Sequence, residues 1–227
     1  MLVQTASDTR LRPFQAMRAV GNLMASGDTR QVFVILRAMR GRSGLRNFNR
    51  FLATPTGQAV LEERRDLLAT LTNREGLRQL PPASLGRTYL DFVESENLSA
   101  EGLVDASQDW DQDPVPPDLH LFRRRLREMH DLTHVVTGYG RDQLGELCLL
   151  TFMYRQQGNL GMLMIVAMAW KQLPKAARKA VREAWRNGKK AHWLAGEDWE
   201  ALMARPLADV RRELAIAPPA IYQAVPL

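Results

Sequence analysis

The chain has 227 residues, an ordinary balance of apolar and charged side chains, and one cysteine, Cys148. That length buries a core without staples, and a lone thiol excludes both a disulfide framework and a multi-thiolate zinc site. The net charge of +6 favours an anionic partner such as nucleic acid, anionic lipid or an acidic small molecule.

Near Met1 the apolar letters are broken by Asp8, Arg10 and Arg12, so no secretory core forms, and Asp8 and Asp28 spoil the acid-free pattern of a transit peptide. From there the chain reads as helix after helix. Asp28-x-x-Gln31 has the form of a capping box before Val32, Phe33, Leu36 and Met39, with Gly41 as the stop. Thr54-Pro55 starts a helix in which Val60, Leu61, Leu67, Leu68 and Leu71 recur at helical spacing. Pro81-Pro82 breaks the chain, and Ser84 caps a helix carrying Leu85, Tyr89, Phe92 and Val93. The proline- and aspartate-rich stretch from Gln108 to Pro117 reads as a connector.

A long helix is expected from Asp118 through Leu121, Leu126, Met129 and His134 to the turn Gly138-Tyr139-Gly140. Asp142 caps a second, with Leu144, Leu147, Leu149, Leu150 and Phe152, which Gly158 ends. Leu160 to Trp170 is apolar on all sides, yet shorter than the ~20 residues a membrane span needs. Pro174 restarts a helix reaching Asn187-Gly188, and a short one covers Leu207 to Leu214 before Pro218-Pro219. No segment alternates with period two. The expectation is an all-α fold, one multi-helix domain over residues 1–227, with its functional site between two antiparallel helices.

The chemistry concentrates at His130-Asp131-Leu132-Thr133-His134. Residues four apart stack on one helix face, so both imidazoles can address one ion. The geometry is that of H-E-x-x-H metalloproteases, but Asp131 replaces the glutamate base, which disfavours proteolysis. Asp131 can reach the same ion or hydrogen-bond a ligand. The glycine turn folds the chain back and sets Glu146 opposite the pair. Two imidazoles with one or two carboxylates suit a divalent metal with room for water or substrate. A packed core histidine pair is the competing reading.

H-D-x-x-H, then eleven residues, then Glu resembles the hallmark of the coenzyme Q (ubiquinone) biosynthesis protein 4 family. The likeness extends upstream to Leu80-Pro81-Pro82-Ala83-Ser84-Leu85-Gly86-Arg87-Thr88-Tyr89. Downstream it takes in Trp185-x-x-Gly188, Asp198-Trp199-Glu200, Pro206-Leu207 and Val210-Arg211. It is best from Pro81 to Ile216. It implies an all-helical fold with a divalent metal, usually zinc, at His130, Asp131, His134 and Glu146. It further implies removal of the ring carboxylate at carbon 1 of a polyprenyl hydroxybenzoate intermediate, with hydroxylation in its place in some accounts. If oxygen is used, iron(II) becomes a candidate metal. The other implications are a homodimer, peripheral attachment to the membrane, and a role organising the other pathway proteins. For this chain the expected place is the bacterial cytoplasm, at the inner membrane.

Further residues take candidate roles. Asp131 and Arg141, with Tyr139, could serve the reaction or orient a substrate anion; an exposed turn arginine and a packed tyrosine are the plain alternative. Met162, Met164 and Met168 could form an adaptable wall for a polyprenyl tail, or a buried core helix. The basic run from Lys171 to Lys190, with Glu183 its lone acid, suits an anionic membrane surface or a solvated face. Nucleic acid is not expected, since no reading motif or stacking platform is present. The function classes left are a metal-dependent decarboxylase and a lipid-binding scaffold.

Overall fold

The computed structural model describes residues 9–96 and 115–224. Met1, Asp8 and most of the predicted connector, Gln108 to Pro114, lie outside the described residues. Within them the protein is all-helical, with thirteen α-helices and a 3-10 turn at Leu194–Gly196. The sole strand-like pairing among the described residues is an isolated bridge between Ser84 and Pro206.

Two N-terminal helices, α1 (Pro13–Ser26) and α2 (Arg30–Ala38), pack together across a left-handed Gly27. Asp28 does assist the start of α2, though its carboxylate accepts from the Arg30 amide and no capping hydrogen bond from Thr29 forms. Helices α3 (Ser43–Leu52) and α4 (Pro55–Glu62) follow, and the Thr54 hydroxyl caps α4 by accepting from Gly57. The single helix expected from Thr54 to Leu71 is in fact two. Arg64 adopts a left-handed φ of 53° after α4, and Asp66 then caps α5 (Leu67–Thr72). A short α6 (Arg74–Arg78) leads to the Pro81-Pro82 break and to α7 (Leu85–Ser95), capped by Ser84 as predicted.

The long helix α8 (Pro117–Thr137) and its successor α9 (Gln143–Gln157) form the centre. Asp142 caps α9 by accepting from the Leu144 and Gly145 amides, and left-handed Gly138 and Gly158 end the two helices, all where the sequence placed them. An N-cap of this kind stabilises by ~1 kcal/mol. Around α9 lie α10 (Leu160–Trp170), α11 (Lys175–Lys190) and α3, while α7, α5 and α13 (Leu207–Glu213) pack on α8. The short α12 (Trp199–Leu202) closes against α5.

One hydrophobic cluster runs from Leu36 to Tyr222 and includes Phe48, Phe51, Phe122, Phe152 and Trp199. The Phe122 ring lies 4.9 Å from Phe51 and 5.7 Å from Phe48 between centroids. Each such buried side chain contributes ~1.5–3 kcal/mol of transfer free energy. Among the described residues no helix is long and apolar enough to cross a membrane.

Two surfaces differ from expectation. The apolar face of α11 (Ala177, Val181, Ala184) is buried against α9, while Trp185 stays exposed beside its basic face. The most exposed apolar side chains lie on α1, where Phe14 is 87 % exposed, Met17 63 % and Met24 69 %. Their spacing of three and seven residues puts them on one helix face, a signal legible in the sequence. Helix α10 is half-exposed rather than enclosed: Met162 is buried, while Met164 and Met168 are only partly covered.

Candidate metal centre

His130 and His134 occupy successive turns of α8, whose other faces are buried through Met129, Leu132, Val135 and Val136. Gly138 ends the helix with φ 77° and donates its amide to the His134 carbonyl, a left-handed cap that a side chain would strain. Tyr139 then buries its ring, Asp142 starts α9, and Glu146 comes one turn into it, facing back. The arrangement brings His130, His134 and Glu146 together, with one donor atom of each within 4.8 Å of the others.

The hydrogen bonds fix which nitrogen of each imidazole faces the site. His134 Nδ1 lies 2.9 Å from the Tyr139 carbonyl. A carbonyl only accepts, so Nδ1 carries a proton there and Nε2 is the nitrogen turned toward the site. That Nε2 is buried, has no hydrogen-bond partner and lies 3.5 Å from Glu146 Oε1. His130 Nδ1 lies 3.1 Å from Asp131 Oδ1, and its Nε2 is 3.9 Å from Glu146 Oε2. Its Nε2 is likewise the nitrogen turned toward the site. The two rings stand nearly perpendicular, centroids 4.8 Å apart, and Phe92 of α7 stacks on His134 at 5.8 Å. Each imidazole is thus backed by an acceptor and points its other nitrogen toward one carboxylate, the form in which histidine binds a metal.

Charges converge on the same point. Burial resists the imidazolium of His130, but the Asp131 hydrogen bond and the charges of Asp131 and Glu146 outweigh it and raise its pKa. Burial likewise opposes ionisation of Asp131 and Glu146, yet both are held below the usual carboxylate range. His130 does this for Asp131, and His134, His130 and Arg141 do it for Glu146. Side-chain exposures of 39 % for His130 and 37 % for Glu146 leave one side of the group open, while His134 is enclosed.

The other predicted residues fall as follows. Asp131 is buried beside His130 and stands outside the three-donor group, as the hydrogen-bond partner of His130. Arg141, on the turn, lies 3.7 Å from Glu96 at the end of α7 and lends positive charge to the site. Met162, Met164 and Met168 sit on α10, which packs on α9 and α2. Several residues quoted for the family likeness do structural work. Glu200 takes Arg125 of α8 in a bidentate pair at 2.6 Å, and Asp198 takes Arg65 at 2.8 Å. Arg211 donates to the Val135 and Val136 carbonyls, both at 2.9 Å, and so caps the end of the histidine helix. Two residues without a sequence signal also matter: Tyr222 bonds to the turn between the two helices, and Glu183 holds the segment that carries Tyr222.

Comparison with known proteins gives this arrangement a context. The family model described as "Coenzyme Q (ubiquinone) biosynthesis protein Coq4" matches residues 13–220. The "Ubiquinone biosynthesis protein coq-4, mitochondrial" of Neurospora crassa is 28 % identical over 172 residues, covering 74 % of this chain and 48 % of its own. The corresponding protein of Arthroderma otae is 31 % identical over 173 residues, covering 74 % and 62 %. The chain thus spans about half to three-fifths of the length of these relatives. A crystal structure from Nostoc punctiforme, of a protein provisionally named for ubiquinone biosynthesis, superimposes with a TM-score of 0.66 at 21 % identity, over 90 % of this chain and 98 % of that one. It shares the fold. The chain belongs to the coenzyme Q (ubiquinone) biosynthesis protein Coq4 family.

Proposed function

We propose that His130, His134 and Glu146 hold a divalent metal, with zinc the first candidate, and that the centre serves ubiquinone biosynthesis by removing the ring carboxylate at carbon 1 of a polyprenyl hydroxybenzoate intermediate. The observation that carries this reading is the buried His134 Nε2, which has no hydrogen-bond partner and faces Glu146. The donor atoms of His130, His134 and Glu146 lie within 4.8 Å of one another, close enough for one ion to engage all three. The donor set of two imidazoles and a carboxylate fits zinc with one position left for substrate, and fits iron(II) if the reaction uses dioxygen.

When bound, the cation supplies Lewis acidity toward the carboxylate or phenolic oxygen of the ring. The chain's own residues do the rest. Asp131 holds the His130 ring, the Tyr139 carbonyl holds the His134 ring, and Phe92 shields His134 from water. Arg141, on the open turn, is placed to orient the substrate carboxylate. As the carbon–carbon bond breaks and carbon dioxide leaves, the ring carbon keeps the electron pair and takes up a proton from solvent.

The partly exposed His130 and Glu146 favour catalysis over the second reading, a lipid-binding scaffold with a purely structural ion, because a structural site is closed on all sides. The polyprenyl tail is assigned to the half-exposed α10 with Met162, Met164 and Met168. Peripheral attachment to the membrane, on the cytoplasmic side of a bacterial inner membrane, is supported by the exposed Phe14, Met17 and Met24. A homodimer and contacts with the other pathway enzymes complete the proposal. The test is turnover by purified protein: carbon dioxide released from a carboxylated polyprenyl ring by metal-loaded protein and not by chelated protein supports it. Equal release from both contradicts it.

A further inference from the structure

After α13 the chain runs back across the turn that joins the two histidine- and glutamate-bearing helices. Glu183, the lone acid of the basic run, accepts hydrogen bonds from the Ala220 and Ile221 amides at 3.1 and 3.0 Å. That anchorage leaves Ile221 exposed and turns Tyr222 inward. The Tyr222 ring meets Tyr139 edge-on, with centroids 5.6 Å apart. Its hydroxyl accepts from the Gly140 amide at 3.0 Å and donates to Asp142 Oδ2. Burial and the Asp142 carboxylate both hold the phenol well above its usual pKa, so it keeps its proton. The seat tolerates no side chain: a Cβ on Gly140 would lie 2.7 Å from this hydroxyl, and one on Gly145 2.8 Å.

The Gly140 N–H and the Tyr139 C=O belong to one peptide group, which is planar and trans, so they point in opposite directions. Tyr222 holds one end of that group, and His134 Nδ1 bonds to the other. The chain of donors runs one way: His134 to the Tyr139 carbonyl, Gly140 to Tyr222, Tyr222 to Asp142. Aligned hydrogen bonds of this kind polarise and strengthen one another.

We propose that Tyr222 is a positioning residue for the metal centre, fixing the Tyr139–Gly140 peptide and through it the tautomer and ring orientation of His134. This rests on the metal reading above. Because Asp142 also caps α9, the same hydroxyl ties the helix of Glu146 to the turn. Glu183 seats the segment that delivers it.

The experiment uses the full chain freed of metal. Co2+ is titrated in with calorimetry and visible absorption, and the His134 tautomer is read by 15N NMR of the metal-free protein. Tyr222→Phe keeps the ring and deletes the hydroxyl. Its Co2+ affinity is expected to fall about 10–100-fold, with altered absorption bands, a mixed His134 tautomer and unchanged helix content. Glu183→Ala, on the far side of the segment, moves each readout the same way by less. A folded Tyr222→Phe with wild-type affinity, bands and tautomer overturns the proposal. Should that variant fail to fold, wild-type values for Glu183→Ala overturn it instead. A wild type that takes up no Co2+ while its His134 tautomer still depends on Tyr222 refutes the metal reading and supports the positioning role.

Discussion

Asp131 Oδ1 lies 3.1 Å from Nδ1 of His130, the residue before it, and this contact rather than proximity to Glu146 defines its place in the site. A carboxylate behind a ligand imidazole tunes affinity without being a ligand, so Asp131→Asn is expected to weaken Co2+ or Zn2+ binding about 10–100-fold and leave one ion per chain at saturation. Calorimetry of the metal-free protein decides this. Loss of stoichiometric binding would make Asp131 a ligand itself.

Metal uptake is expected to weaken on acidification, because the ligands must be deprotonated to bind. Asp131 and Glu146 raise the pKa of His130, so proton competition begins above the ordinary imidazole value of about 6.5. In the metal-free protein the linkage runs both ways. The stability from protonated His130 is full below its unfolded pKa and is lost as pH rises through the raised folded one. The stability from ionised Asp131 and Glu146 is present above their unfolded values and lost as pH falls through the depressed folded ones. Thermal melts with and without Zn2+ should therefore diverge most on the alkaline side of the His130 transition. A metal-induced shift that is flat from pH 5 to 8 would contradict this.

Arg125 and Glu200 test whether the Asp198-Trp199-Glu200 motif is structural. Arg125 is almost wholly buried and bonds both Glu200 oxygens at 2.6 Å. Glu200→Ala strands a buried guanidinium, and chemical denaturation is expected to register a loss of about 3–5 kcal/mol. Metal affinity of the fraction that stays folded should be unchanged. A stable variant defective in metal binding would relocate this motif to the site.

The apolar face of α1 should govern membrane attachment. Serine at Phe14, Met17 and Met24 together is expected to lower binding to vesicles of mixed zwitterionic and anionic lipid at least tenfold. The melting temperature should change little, because these side chains touch solvent already. Binding that falls only with added salt, and not in this variant, would assign attachment to the basic face of α11 instead.

Much of this architecture is legible because its signals are local. Ser84, Asp142, Gly138 and Gly158 mark helix ends by side-chain chemistry and backbone freedom, and each does so in the structure. His130 and His134 meet because helical spacing demands it, and Glu146 follows from a glycine turn of the right length. The break at Arg64 left only the Asp66 cap as a local trace, since an arginine takes the left-handed conformation there while the apolar spacing continues past it. The outward aspect of α10 and the covered face of α11 depend on which neighbour each helix meets, which periodicity does not encode. Tyr222 reaches across a long sequence distance to a turn that already looked complete, and Glu183 seats the segment that carries it, so their part emerges only in three dimensions.

The most direct measurement is complementation of a cell lacking its own family member with wild type or His134→Ala, following carboxylated polyprenyl ring intermediates by mass spectrometry alongside protein level and metal content. The expected result is a folded, abundant variant that holds no metal and lets the carboxylated intermediate accumulate. Normal flux through the pathway with His134→Ala would contradict it and leave the scaffold reading in its place.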